Sequence, residues 1–497
     1  MSLNTGEEQI QSTVSDALTP VSSRWLGLTV VLIATFMAML DGFIVNVAVP
    51  SIQSSLHANP IEIELIGAAY SLPYALLVIT GGRLGDLFGV RRLFLLGMAI
   101  FTIFSALCAL APNPILLLAA RVGQALGGAL LYPQVLSFIQ LSFQEQERPR
   151  ALSMWGAVNG LASIFGQLIG GSLITANVFG LGWRSIFLVN VPLGVIVLLG
   201  AWAFVFERRA PRRVRLDLTG TLLVAVGILL FLYPIVMGSN AGWPWWMVLC
   251  LPLALLVFVG FGWFERRATI RGATPLINPA LFRLPSFVWG GLLALVWCAS
   301  TAAFFFILAL YLQRGIGFSA LVAGLTFTPI GVIFIMAAAL ASKLIIRLGS
   351  WTFAVALGLT AAGTFGLLLV ANASGKTPPA WGLLLFTLLL IGFGLGLGVP
   401  SLMTLSLRDI PTQEAGSASG VMETVIQLGF ALGTPLIGLV FFSVIGSSND
   451  MTPVRAQDVV QAFTQSLLVL GICLTILLVL VPLMVRVVGR TMASKSE

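Results

Sequence analysis

The fold class this sequence predicts is an all-α polytopic membrane protein with fourteen transmembrane helices, and three observations predict it. Of the 497 residues 58% are hydrophobic and only 9% charged, against roughly 25% charged in soluble domains, and mean hydropathy is +1.03. Apolar stretches of about 20 residues, the length that crosses about 30 Å of hydrocarbon as a helix, recur from Trp25 almost to the end. The short alternating segments of a membrane-spanning barrel are missing from the sequence.

Taken in order, the first 23 residues are polar, carry Glu7, Glu8 and Asp16, and lack the apolar core of a cleaved signal peptide, so the helix from Trp25 is expected to direct insertion. The first six spans are read as Trp25 to Val49, Leu65 to Thr80, Leu93 to Leu110, Ile115 to Leu141, Ala151 to Ile174 and Ile186 to Phe206. Two more follow, Leu218 to Met237 and Trp245 to Phe264. The last six are Phe287 to Leu312, Ala320 to Leu340, Trp351 to Val370, Trp381 to Leu405, Ala418 to Ile445 and Phe463 to Val485.

Placing both termini in the cytoplasm puts most of the 26 lysines and arginines on that side, among them Arg83, Arg91, Arg92 and the cluster from Arg208 to Arg215. Arg184, Arg314, Lys376 and Arg455 remain outside, and Arg121 falls within a span. That bias follows the positive-inside rule. It also accounts for the net charge of +8 without nucleic acid, because the basic residues sit in short loops rather than on one amphipathic face. Cys108, Cys250, Cys298 and Cys473 lie inside apolar runs at spacings that suit neither a metal site nor a disulfide framework.

A weak internal repeat organises the spans. Arg83-Leu84 to Gly89 after the second helix is echoed by Lys343-Leu344 to Gly349 after the tenth, and Gly166 and Gly170 in the fifth are echoed by Gly429 and Gly433 in the thirteenth. Near-equal offsets point to two homologous six-helix bundles plus two inserted helices. The expected division is a tail (1–23), an N-terminal bundle (24–208), two inserted helices with flanking loops (209–284), a C-terminal bundle (285–487) and a cytoplasmic tail (488–497). Parallel repeats of this kind place a substrate at their interface near the bilayer midplane.

Four motifs carry a family resemblance over nearly the whole chain. They are Leu40-Asp41-Gly42-Phe43-Ile44-Val45-Asn46-Val47-Ala48-Val49-Pro50, then Gly82-Arg83-Leu84-Gly85-Asp86-Leu87-Phe88-Gly89-Val90-Arg91-Arg92, then Arg121-Val122-Gly123-Gln124 with Gly127, and Ala162 to Gly166 with Gly170-Gly171. With them the chain resembles the fourteen-helix drug:proton antiporter branch of the major facilitator superfamily. Two positions depart from the family pattern. Leu87 replaces the usual basic residue after Asp86, which weakens the local charge network, and Gln167 replaces the usual proline after Gly166, which loosens the link to export.

The resemblance implies a proton-coupled transporter that exports small lipophilic, preferentially cationic compounds by alternating access. Export of an endogenous metabolite or lipid, and proton-coupled import, are the alternatives. Asp41 lies deep in the first span, where an acid costs about 2.5 to 3.5 kcal/mol on insertion scales and ordinarily faces a cavity or a partner. It is read as a proton site that alternates with a cation, or else as a residue that fixes helix packing. Arg121, at nearly the same depth, is a fixed counter-charge because its guanidinium keeps its proton, or a structural arginine reaching the interface. Gln124 shares its face. Glu423, with Gln427 one turn on, is a second proton or cation site, or a hydrated group at a helix mouth. Gln124, Trp155, Asn159 and Gln427 are expected to line the substrate cavity. By the resemblance Gly82, Asp86, Gly89, Arg91 and Arg92 form a conformational latch, with Asp86 meeting the start of the thirteenth helix near Ala415 to Ser417. Gly166, Gly170 and Gly171 offer one face for close helix approach, as a gate or as plain packing.

An enzyme is disfavoured, since hydrolysis or acyl transfer needs a nucleophile with a base or a metal, and the single histidine, His57, sits in the first loop. The expected partners are therefore a small-molecule substrate, protons and the lipid bilayer, with no nucleic acid. No cofactor is expected, the proton gradient being the energy source, and the chain is expected to act as a monomer in the cell (inner) membrane.

Overall fold

A computed structural model of the chain describes residues 21–144, 146–206, 218–238, 242–270, 279–374, 380–410, 415–445 and 455–493. The loop from Arg208 to Arg215, Arg271 and Lys376 lie outside the described residues. In hydrocarbon every backbone N–H and C=O must find a partner within its own segment, so each apolar run folds as a helix. These are α1 (Val21–Leu56), α2 (Pro60–Phe88), α3 (Val90–Leu110), α4 (Pro114–Ser142), α5 (Arg148–Ala176), α6 (Asn190–Phe204, after a one-turn helix Ser185–Leu188), α7 (Leu218–Met237) and α8 (Trp245–Ile270). The last six are α9 (Pro285–Leu310), α10 (Ala320–Leu348), α11 (Trp351–Ser374), α12 (Trp381–Ser406), α13 (Ala415–Ile445) and α14 (Ala456–Ala493). Twelve contain a described stretch long and apolar enough to span a membrane, and α5 and α7 contribute the shorter apolar runs Phe165–Ala176 and Thr219–Ile235.

Most helices outrun the apolar stretch that announced them. Hydropathy marks the edge of the lipid, whereas the hydrogen-bond ladder stops only at a residue that leaves helical backbone. Thus α1 continues through Pro50 to Leu56, and α2 runs eight residues beyond Thr80. Gly82 and Asp86, expected in a loop, therefore occupy the last turns of α2. The break comes at Gly89, whose φ of 99° belongs to the glycine-permissive region. At the other end of α2, Asn59 and Glu62 form a capping box, with Glu62 N–H donating to Asn59 Oδ1 (2.9 Å) and Asn59 N–H to Glu62 Oε2 (2.8 Å).

The same helix pairs pack in both parts of the chain. In the first six helices α1 packs on α5, α2 on α4, α3 on α4 and α6; in the last six α9 packs on α13, α10 on α12, α11 on α12 and α14. Close approaches repeat at residue level. Gly166 of α5 abuts Leu40, Phe43 and Ile44 of α1, as Gly429 of α13 abuts Leu295, Cys298 and Ala299 of α9. Gly127 of α4 abuts Gly97 and Phe101 of α3, as Gly394 of α12 abuts Ala356 and Thr360 of α11. The inserted α7 and α8 pack on each other, and α7 lays Ile228 and Leu232 against Leu72 and Leu76 of α2 and Leu428 and Leu432 of α13.

The halves meet chiefly through two exchanged contacts, α5 with α10 and α2 with α13, and α1 also touches α9 and α10. Both exchanged contacts involve the end that bears the loop around His57, here termed the first-loop end. Gly171 abuts Ala320 and Leu321, Gly324 abuts the backbone of Gln167 and Leu168, and Gly67 meets Thr434. Three hydrogen bonds cross between the halves at that end among the described residues: Gln313 Nε2 to the Val47 carbonyl (3.0 Å), Arg314 Nη2 to Gln53 Oε1 (2.5 Å) and Leu321 N–H to Thr175 Oγ1 (3.1 Å). Gln313 and Arg314 sit on a π-helical turn, Tyr311–Gly315, that closes α9.

Candidate functional site

Asp41, Arg121 and Gln124 come together in the core of the first half, joined by Asn190 of α6 and Ser105 of α3, and none of the five is more than 1% exposed. Arg121 Nη1 donates to Asp41 Oδ2. Gln124 Nε2 and Asn190 Nδ2 both donate to Asp41 Oδ1 at 2.9 Å. Arg121 Nη1 also donates to Gln124 Oε1 (2.8 Å), and Gln124 Nε2 lies 2.6 Å from Ser105 Oγ. The guanidinium lies 4.9 Å from the Tyr70 ring centroid and 5.6 Å from that of Phe187, a cation–π setting. Both oxygens of this carboxylate accept from buried donors, whereas Arg121 Nε and Asn190 Oδ1 are buried without a hydrogen-bond partner, so the buried pair is only partly satisfied.

The repeat shows what this site is not. Carrying the matched close approaches along the helices puts Val296 of α9, Thr364 of α11, Leu388 and Ile391 of α12 at the places of Asp41, Ser105, Arg121 and Gln124. The Thr364 hydroxyl returns to its own helix, donating to the Thr360 carbonyl at 2.8 Å. A small apolar cavity lies there, lined in part by Trp297, Thr364 and Ile391. One half thus packs around an ion pair and the other, with the same helix arrangement, around aliphatic side chains. The architecture does not require the charges.

Glu423 stands apart. It is part-buried on α13 and accepts from Gln427 Nε2 at 2.9 Å. It lies close enough to Tyr74, Tyr132 and Cys298 for its charge to act on them. Trp155 and Asn159 meet on α5, Asn159 Nδ2 donating to the Trp155 carbonyl (2.8 Å), while Tyr132 Oη donates to Asn159 Oδ1 (3.0 Å). Glu423 is thus held by a residue of its own helix, and no hydrogen bond joins it to the Asp41 pair among the described residues.

The motif residues are distributed differently from expectation. Gly166 and Gly170 seat α5 on Ile44 and its neighbours in α1, and only Gly171 faces the other half, because successive residues on a helix point about 100° apart. Gln167, in the proline's place, is fully buried and donates from Nε2 to the Phe43 carbonyl at 3.1 Å. Arg91 binds within its own half, Nη2 donating to the Trp202 carbonyl at the end of α6 (2.5 Å). Arg92 starts α3 beside it, and Gly82 lies against Pro133 of α4. The Asp86 side chain and those of Ala415 to Ser417 lie outside the described residues. The four cysteines are free.

Sequence reading missed Asn190, Ser105 and Tyr70. Asn190 carried a signal, an amide at the head of an apolar run, which is costly in lipid unless partnered. Ser105 and Tyr70 carried none, since a hydroxyl satisfies itself on its own helix and tyrosine is common in membrane spans.

Two pseudo-equivalent helical bundles that meet at one end, with a sealed charge pair in one of them, define a membrane transport protein of the alternating-access kind. Residues 31–221 and 210–434 match the profile of the Major Facilitator Superfamily, and the chain belongs to that superfamily. It is 37% identical over 429 residues to the probable actinorhodin transporter of Streptomyces coelicolor, covering 86% of this chain and 74% of that one. It is 36% identical over 431 residues to the cephamycin export protein of Amycolatopsis lactamdurans, covering 84% and 85%. Among solved structures it resembles a bacterial homologue of the human lysosomal transporter Spinster in an inward-facing, unoccupied conformation, with a TM-score of 0.69 at 16% identity over 95% of this chain and 99% of that one.

Proposed function

We propose that this chain is a proton-coupled antiporter of the cell (inner) membrane that exports small lipophilic compounds, both termini lying in the cytoplasm. The observation that carries this reading is the Asp41–Arg121 pair, sealed in one half and replaced by apolar residues at the matching place in the other. A buried carboxylate held by a fixed cation binds a proton only when its partners yield, so proton uptake and helix rearrangement become one event. The contacts at the first-loop end support an inward-facing arrangement in which that end is the sealed outer one. Glu423 supports a second acidic group facing the path, suited to a proton or a cationic substrate. The export activities named for the relatives support the direction.

The test is proton release in inside-out vesicles on addition of lipophilic compounds, with Asp41→Asn and Glu423→Gln beside the wild type. Asp41→Asn is expected to abolish coupled release, and Glu423→Gln to lower it at least several-fold for cationic compounds. Normal proton release and transport by both variants would remove the assignment.

A further inference from the structure

Each of the three side chains hydrogen-bonded to the Asp41 carboxylate meets it as a donor. Arg121 Nη1 holds Oδ2, and Gln124 Nε2 and Asn190 Nδ2 both hold Oδ1. That set suits the charged acid. A protonated Asp41 carries an O–H that is itself a donor and needs an acceptor. None of these side chains is more than 1% exposed, so bulk water does not supply one.

Two of the three partners also carry an oxygen. Gln124 Oε1 is committed, accepting from Arg121 Nη1 at 2.8 Å with the Cys108 thiol 3.8 Å away, and Gln124 Nε2 also lies 2.6 Å from Ser105 Oγ. Turning that amide over would break every one of these contacts. Asn190 Oδ1 is buried and has no hydrogen-bond partner. The oxygen and nitrogen of an amide are nearly the same size and lie on either side of the Cβ–Cγ bond, so a half-turn exchanges them in place. For Asn190 that half-turn sets Oδ1 where Nδ2 stands, 2.9 Å from Asp41 Oδ1, with no backbone movement and no bond to the oxygen to be broken.

We propose that Asn190 is a positioning residue for the proton at Asp41, its amide donating to the charged carboxylate and turning over to accept from the protonated one. The proton bonds to the lone pair of Oδ1 that Asn190 Nδ2 had held, and the N–H···O bond to Oδ1 is replaced by an O–H···O bond to the Asn190 oxygen. Arg121 stays on Oδ2 and Gln124 on the remaining lone pair of Oδ1, so the carboxyl group keeps the same number of hydrogen bonds in both protonation states. The inference rests on reading Asp41 as a proton site and names the partner that yields. Other titratable groups near Asp41 are already engaged: Tyr70 Oη of α2 donates to the Ala38 carbonyl (3.2 Å), and the Cys108 thiol of α3 lies against Gln124. From α5 and α9 this part of α1 meets Gly166 and Phe305, and α10 carries no titratable residue before Lys343.

The experiment records infrared difference spectra on acidification of the purified full-length protein in lipid, with every asparagine isotope-labelled at its side-chain carbonyl. In wild type a protonated-carboxyl band is expected to appear while one labelled asparagine band moves to lower wavenumber, because accepting a hydrogen bond weakens a C=O. D41N is expected to lose both changes. N190L and N190T are each expected to keep a carboxyl band and lose the asparagine shift, and either variant suffices for the assignment where the other folds poorly. An Asp41 carboxyl band in wild type without an asparagine shift, or a shift that survives in the Asn190 variants, overturns the switch and leaves the proton site standing. Absence of any carboxyl band that D41N removes overturns the switch together with the reading of Asp41 as the proton site.

Discussion

Asp41→Val is the perturbation whose outcome the structure fixes most closely. It leaves the Arg121 guanidinium, 1% exposed, without its carboxylate, and takes one acceptor each from Gln124 and Asn190. Removing one member of a buried pair costs about 3–5 kcal/mol. A lost neutral hydrogen bond in a membrane costs only about 0.6 kcal/mol on average, because the unfolded chain in the bilayer finds other partners. The stranded charge therefore dominates, and the single variant is expected to lose about 4 kcal/mol. Asp41→Val/Arg121→Leu installs the kinds of residue, Val296 and Leu388, that the other half already packs at these places. It is expected to return to within about 1 kcal/mol of wild type, about 3 kcal/mol more stable than the single variant. Unfolding by SDS in mixed micelles measures both, and proton-driven transport in proteoliposomes is expected to be lost in both. A single variant as stable as wild type, or a double variant no more stable than the single, would refute the claim that the pair is sealed and mutually dependent.

Two further outcomes concern the first-loop end. Arg314→Ala removes the hydrogen bond to Gln53 across the halves; at about 1 kcal/mol it is expected to shift the balance toward opening of that end about five-fold, read as spin-label distances across it. Gly171→Val sets a side chain against the Ala320 carbonyl, a backbone atom that has nowhere to go. It is expected to hold the first-loop end apart and cut transport at least ten-fold at unchanged expression, and normal transport would show that the contact opens and closes with slack.

How much of this was legible in the sequence depends on the range of the information. The fourteen helices were legible because burial in lipid is decided span by span. The end of α2 was not, since its last turns, Gly82 to Phe88, are polar enough to look like a loop while their hydrogen bonds continue to Gly89. Asp41 and Arg121 stood out because a charge in hydrocarbon is rare, but their meeting required α1 and α4 to be neighbours. The meeting of Asn190 with Asp41 depends on how α6 is turned against α1, and no local pattern reports that. Gly166, Gly170 and Gly171 were legible as close-packing residues but not as facing two partners, which only the tertiary arrangement decides.

The seal of the charge pair bears on how it communicates. Asp41, Arg121, Gln124, Ser105 and Asn190 all belong to one half, so none of their hydrogen bonds crosses to the other. Two residues along α1, Phe43 reaches the other half: its ring lies 5.9 Å from Phe305 of α9 and 6.1 Å from Phe430 of α13, and its carbonyl is held by Gln167 of α5. A proton biases an equilibrium only if it binds the two states differently. For an acid enclosed in one half, that difference has to arise from the seat of α1 against α4 and α6. Phe43 is where a shift of that seat meets the second half, and Gln167, in the place of a proline that could not donate, ties the same turn to the helix whose Gly171 closes the first-loop end. The turn of α1 that follows Asp41 thus touches the second half through Phe43 and, through Gln167, the helix that carries Gly171.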